Sequence, residues 1–191
     1  MWYRRAVRHA PAGAVLLLCA CTETAPAGIE AVDLDGRRAD PLAKSAAAHV
    51  LLFVRTDCPI SNRYAPEIQR LFEAYRDRGT DFHLIYVSAR DTPEAIDAHR
   101  REYGLSLPAL RDDRHALVRH TGATRTPEAA VIAKGRLVYR GRIDDRFADF
   151  GDTRPHAMTR DLADAIDAAL SGRSAVTATT AAVGCPISPL R

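Results

Sequence analysis

Two copies of the tetrapeptide Cys-Pro-Ile-Ser, at Cys58–Ser61 and Cys185–Ser188, carry the sulfur chemistry of this chain. The first copy follows the apolar run Val50-Leu51-Leu52-Phe53-Val54, where a strand gives way to a helical pattern. A cysteine at that junction faces unpaired backbone N–H groups and the positive end of a helix dipole, both of which favour thiolate over thiol. Only the thiolate attacks disulfides or binds soft metals. Arg55 and Arg63 flank the site and support an anion, with Asp57 opposing them. The bland alternative is a small buried hydrophobe, since free cysteine is among the most buried residue types.

The elements that position this cysteine are legible in the pattern. Pro59 suits the first position of a helix, where a missing N–H costs nothing. Ile60, Tyr64, Ile68, Leu71, Phe72 and Tyr75 recur at three- and four-residue spacing, predicting a helix from about Ser61 to Arg78. Upstream, residues 31–36 read as a short strand and turn. Phe82–Val87 is a nearly continuous apolar run, the mark of a strand covered on both faces. Thr92-Pro93-Glu94 opens a helix that stops at Gly104, and Asp112–His120 forms a third helix. Residues 129–132 and 137–140 flank Lys134-Gly135 as a hairpin, and a last helix carries Met158, Leu162, Ile166 and Leu170 before Gly172. The order β, β, α, β, α, α, β, β, α is that of an α/β domain.

The N-terminus predicts a compartment. Arg4, Arg5 and Arg8 precede residues 12–18, an apolar stretch too short to span a membrane and flanked like a secretory signal. Leu18-Cys19-Ala20-Cys21 resembles the bacterial lipobox, which implies a signal segment at 1–21 and lipid on Cys21. The domain is then expected outside the cytoplasm, periplasmic or at the cell surface, where disulfides persist. Losing those three arginines takes the 27 basic residues to 24, equal to the 24 acidic ones. Nothing in a neutral domain points to nucleic acid as a partner.

The strand and helix order, with Asp57-Cys58-Pro59-Ile60-Ser61-Asn62, Arg125-Thr126-Pro127-Glu128 and residues 139–145, resembles the thioredoxin-like superfamily, in particular its redoxin branch. The resemblance covers about residues 30–171. It implies a three-layer fold, a central mixed sheet flanked by helices, over a domain at 22–172 followed by an extended tail at 173–191. It also implies a cis peptide bond at Thr126-Pro127, with a backbone edge at Thr126 open to a bound peptide or mixed disulfide. Thr126, Pro127 and Ser61 then form the substrate-binding side.

Departures from the family sharpen the reading. Ser61 stands where thioredoxins carry a second cysteine, so no disulfide forms inside the motif. Leu51 and Arg55 stand where typical peroxiredoxins place Pro and Thr, which argues against peroxidase activity. A monothiol needs glutathione, a partner protein or a resolving cysteine from elsewhere. Cys185 is the candidate within the chain. The 13 steps from Gly172 to Cys185 reach up to ~40 Å when extended. A domain of this size has a radius of gyration of only ~15 Å. Gly184 and Pro186 suggest a turn at that thiol, and the tail is expected to be only lightly packed.

The expected activity is thiol–disulfide exchange on protein or small-molecule thiols and disulfides, with Cys58 attacking and Cys185 resolving, and with no cofactor. A Cu(I) carrier using Cys58 and Cys185 is the second reading. A redox-inert binding module is the third, if Cys58 proves buried. His49, His83, His99, His115, His120 and His156 are scattered and read mostly as surface residues. Asp144-Asp145 reads as a solvated, salt-bridged edge rather than acid/base machinery.

Overall fold

The computed structural model describes Met1 and residues 29–149, 151–175 and 177–190. Apart from Met1, the signal segment expected at 1–21, with Cys21, lies outside the described residues. In chain order the elements are β1 (Ala31–Val32), β2 (Arg38–Ala39), β3 (Ala48–Val54), α1 (Pro59–Tyr75), β4 (Thr80–Tyr86), α2 (Pro93–Glu102), β5 (Ala109–Arg111) and α3 (Ala116–Thr121). They continue with β6 (Arg125–Thr126), β7 (Glu128–Ala133), β8 (Arg136–Gly141), β9 (Phe147–Asp149), β10 (Asp152–Thr153), α4 (Asp161–Leu170) and β11 (Cys185–Pro186).

Seven strands form the main sheet in the order β2-β1-β5-β4-β3-β7-β8. β3 runs parallel to β4, and β4 to β5, whereas β7 pairs antiparallel with both β3 and β8. The sheet is therefore mixed, with its fully buried centre at β3. Alternation along that strand separates two cores. Val50, Leu52 and Val54 pack with the helices α1, α2 and α4, while Leu51 and Phe53 pack on the other face with Leu117 of α3. This double coverage explains why β3 and β4 read as continuous apolar runs.

Several elements differ from the sequence pattern, each for a local reason. α1 ends at Tyr75 instead of Arg78, because the chain turns through Gly79 at φ +83° to enter β4. α3 begins at Ala116, not Asp112. The Asp112 carboxylate accepts from Ala116 N and Val118 N, at 2.7 and 2.9 Å, and so caps the helix from outside. α4 begins at Asp161 and leaves Met158 in an exposed loop, since Asp145 Oδ1 accepts from Met158 N and Thr159 N. β5, only three residues long, gave no periodic signal, yet it joins β1 to the sheet.

Two polar readings are corrected. His49, His83, His99 and His115 are buried rather than on the surface. Asp144 and Asp145 are likewise buried. Asp144 accepts a 2.6 Å hydrogen bond from the Tyr64 hydroxyl, and Asp145 pairs with Arg154 at 2.7 Å. Long Arg side chains and backbone N–H groups complete these carboxylates from the protein side, which is why they leave water.

Candidate active site

Cys58 caps the N-terminus of α1. Its backbone is extended (φ −92°, ψ 109°), Pro59 follows at the first helical position, and Sγ accepts from Ser61 N at 3.5 Å. The sulfur also lies 3.0 Å from the carbonyl oxygen of Thr126, to which the thiol donates. That carbonyl belongs to the Thr126-Pro127 peptide bond, which is cis as the resemblance implied. Thr126 and Pro127 are thus brought to Cys58, and so is Ser61 one helical turn on. Thr126 and Ser61 are both buried beside the sulfur.

Cys185 arrives from the other end of the chain. β11 pairs antiparallel with β6, with Cys185 opposite Thr126 and Pro186 opposite Arg125. This small two-stranded sheet lays the second Cys-Pro-Ile-Ser copy along the edge beside the cis bond. Both cysteines are free thiols. Burial pushes the Cys58 thiol up, but hydrogen bonds from Cys185, Ser61 and Thr126 to its anion outweigh that and hold it below the usual thiol range. Burial, the bond it gives to Cys58, and the charge on that sulfur push Cys185 up to about 11. The contact between the two sulfurs thus favours the anion on Cys58 and the proton on Cys185.

Arginine does less here than the sequence suggested. Arg55 is paired with Asp57 at 2.8 Å, and Arg63 is exposed. Hydrogen-bond donors and the helix terminus favour the anionic form of Cys58 instead. Cys58 is fully buried, the condition set for a redox-inert module. The core cluster that contains Cys58 is, however, covered in part by Val183 and Cys185 of the C-terminal tail.

The tail itself is docked, contrary to the expected light packing. Thr180 N donates to Arg140 O and Arg140 N to Ala178 O, while Thr180 Oγ1 meets the Tyr139 hydroxyl at 2.7 Å. Ile187 N donates to Thr124 O at 2.9 Å, and Arg125 Nη1 donates to Gly184 O at 3.0 Å. Gly184 makes a bend and not the expected turn, and the chain beyond it is extended. A Cβ at Gly184 would stand 2.1 Å from Thr126 O, so only glycine fits. Each of these hydrogen bonds contributes a net ~0.5–1.5 kcal/mol. Ordering each residue costs about 1–2 kcal/mol. The tail is a specific latch of modest strength.

Two supports escaped the sequence reading. Glu128, buried just after the cis bond, accepts from Thr124 N at 2.7 Å and Arg125 N at 3.0 Å, which fixes the backbone of β6. Arg140 holds the same carboxylate at 3.5 Å. On the other flank, Thr56 Oγ1 donates to the buried Asp91 at 2.6 Å, and Asn62 Nδ2 donates to Thr56 O. Asn62 Oδ1 meets His99 Nε2 at 3.0 Å, and His99 Nδ1 meets the Tyr86 hydroxyl at 2.9 Å. Burial pushes the Asp91 carboxyl up and His99 down, so both favour their neutral forms. Spacing gives no hint of such partners, because they come from separate elements far apart in the chain. Among the described residues no three His, Cys, Asp or Glu side chains gather as a metal site, so a Cu(I) ion would have only the two sulfurs.

The fold and site define a thioredoxin-like protein. A family model described as thioredoxin-like matches residues 48–138, just under half of the chain. A hypothetical protein from Sinorhizobium meliloti 1021 is similar at 25% identity and a TM-score of 0.72, over 83% of this chain and 88% of its own. An uncharacterized conserved protein from Geobacillus kaustophilus is similar at 25% identity and a TM-score of 0.68, over 84% and 88%. The thioredoxin domain of a thiol-disulfide oxidoreductase from Bacteroides vulgatus shares the fold at 15% identity and a TM-score of 0.51, over 58% and 81%. No curated protein matches the sequence significantly.

Proposed function

We propose that the protein is a thiol–disulfide oxidoreductase in which Cys58 attacks and Cys185 resolves. The observation that carries this reading is the pairing of the two thiols across the cis-proline edge, one held low and the other raised to about 11. The Cys58 thiolate attacks one sulfur of a substrate disulfide. The S–S bond breaks, and the leaving sulfur departs with the electron pair as thiolate. Cys185 gives up its proton to that thiolate and then attacks Sγ of Cys58. A Cys58–Cys185 disulfide forms and the second substrate sulfur leaves. The substrate gains two electrons, the protein loses two, and an external dithiol resets it.

The fold of the Bacteroides vulgatus oxidoreductase domain is consistent with this chemistry. The arginine-flanked apolar segment within 1–21 supports work outside the cytoplasm, with Cys21 as the lipid-bearing residue. An intact mass carrying lipid in the parent and lost in Cys21→Ser supports the anchor, and equal aqueous partitioning of both removes it.

The reading is tested with a peptide disulfide and the reduced protein. Cys58→Ser abolishes reduction, whereas Cys185→Ser stalls at a mixed disulfide on Cys58. Peptide mapping after oxidation joins the two Cys-Pro-Ile-Ser fragments, and a mild dithiol separates them. If both thiols still alkylate freely after oxidation, Cys185 is not the resolving residue and Cys58 depends on an external thiol.

A further inference from the structure

The edge of β6 beside Cys58 is not empty. Residues 183–188 lie along it with Cys185 opposite Thr126, Ile187 N bonded to Thr124 O, and Gly184 O held by Arg125. A polypeptide whose cysteine is to reach Cys58 along this edge needs the same backbone groups. Thr124 O and the Thr126 backbone each serve one strand at a time, because an edge offers a single row of donors and acceptors. Substrate and tail therefore exclude one another.

The geometry points to the tail as a built-in analogue of the substrate: the substrate is an extended polypeptide segment with glycine immediately before its cysteine, and it binds in the register of residues 183–188 after displacing them. The glycine requirement follows from one contact. At the position preceding the cysteine, a Cβ would sit 2.1 Å from Thr126 O and 2.7 Å from Thr126 C, both backbone atoms. Those atoms are themselves fixed, since the Thr126 carbonyl is engaged by Cys58 and the β6 backbone is tied to Glu128. Any residue other than glycine pushes the strand off the edge. Flanking positions take apolar side chains, as Val183 packs on the core cluster that includes Cys58 and Ile187 on the opposite one.

The tail then alternates with the substrate. It leaves to admit the segment, Cys58 forms the mixed disulfide, and the tail then displaces the tethered segment from the edge, which brings Cys185 onto Cys58. The second latch, Thr180 on Arg140, Tyr139 and Arg142, keeps the tail root against the domain while residues 183–188 are away. This deepens the exchange reading and rests on it for the purpose of the sulfur, but occupancy of the edge is testable without disulfide chemistry.

The probe is a fluorescent peptide of residues 181–190 carrying Cys185→Ser, offered to the reduced full-length protein. A tail that keeps the edge closed nine-tenths of the time weakens the probe about tenfold. The full-length Gly184→Ala protein, whose own tail no longer fits, is therefore expected to bind the probe at least about tenfold more tightly than the parent. Its Ile187 amide should also lose protection from hydrogen exchange. The same probe with Gly184→Ala should not bind that protein. Equal probe affinity for parent and variant overturns the proposal, as does equal affinity for the glycine and alanine probes. An Ile187 amide that stays protected in Gly184→Ala overturns the close-approach argument on which it stands. All these outcomes are independent of whether the protein reduces a disulfide.

Discussion

The two Cys-Pro-Ile-Ser segments have the same four side chains and opposite fates. At Cys58 the tetrapeptide opens α1, with Pro59, Ile60 and Ser61 all helical. At Cys185 it is a strand, paired to β6 across an edge. The first copy follows a strand buried on both faces and precedes a long amphipathic pattern, so helix formation there is supported by packing along its length. The second follows a Ser-, Ala- and Thr-rich stretch with no such face, and its conformation is set by what it docks against. The sulfurs diverge accordingly, Cys58 being lowered by donors and Cys185 raised to about 11. A motif is a supply of groups, and its surroundings decide their chemistry.

The comparison is broken most severely at Cys58. Cys58→Ser should reduce exchange to background while the tail stays docked, its Ile187 amide still protected, and a variant with residual activity above background would move the nucleophile elsewhere. The core beneath the first copy comes next. Leu52→Ala, at a fully buried position of β3, is expected to cost about 2–5 kcal/mol, read by denaturant unfolding. Ile187→Ala, under the second copy, should cost less than about 1 kcal/mol, because the tail is a marginal latch. Equal losses at the two positions would mean that the tail is part of the cooperative core.

Removing one thiol sharpens the contrast in charge. In Cys185→Ala the donor to the Cys58 anion is gone, so the Cys58 titration should move upward, followed by ultraviolet thiolate absorbance. Each unit of that shift lowers the thiolate fraction about tenfold at a pH below both values. In the parent, thiolate should appear first below the usual thiol range and again only near 11, where Cys185 ionises. A Cys58 titration unmoved by Cys185→Ala would disconnect the two sulfurs.

The smallest effect concerns the flank of the first copy. Burial raises the Asp91 carboxyl, and its Oδ2 has no partner, so the ionised form costs stability at neutral pH. That cost is present above the folded-state pKa and vanishes as pH falls through it toward the unfolded value. Asp91→Asn should therefore stabilise the fold at pH 7, with the gain disappearing in acid. A variant less stable than the parent at neutral pH would mean that the carboxylate is needed as an ion.

How much was visible in advance differs between the two segments in the same way. The apolar runs at Val50–Val54 and Phe82–Val87, the spacing from Ile60 to Tyr75 and the Thr92-Pro93-Glu94 cap determined the central strands and two helices by themselves. These signals are local, and burial on both faces or on one stripe leaves a period in the residues. The Cys58 helix cap followed from the same junction, and the cis-proline partner from the family resemblance. What no period could carry was decided by tertiary structure. The pairing of Cys185 with Thr126 joins residues far apart in the chain, and its register depends on one glycine that has no room for a Cβ. Glu128, Asp91 and His99 read as ordinary polar residues, because a buried hydrogen bond needs only a partner in space and leaves no mark in spacing. The chain alone set where a helix-capping sulfur would stand; only the fold decided that the other copy of its motif would lie across it, since an edge of unpaired backbone groups accepts whichever strand fits.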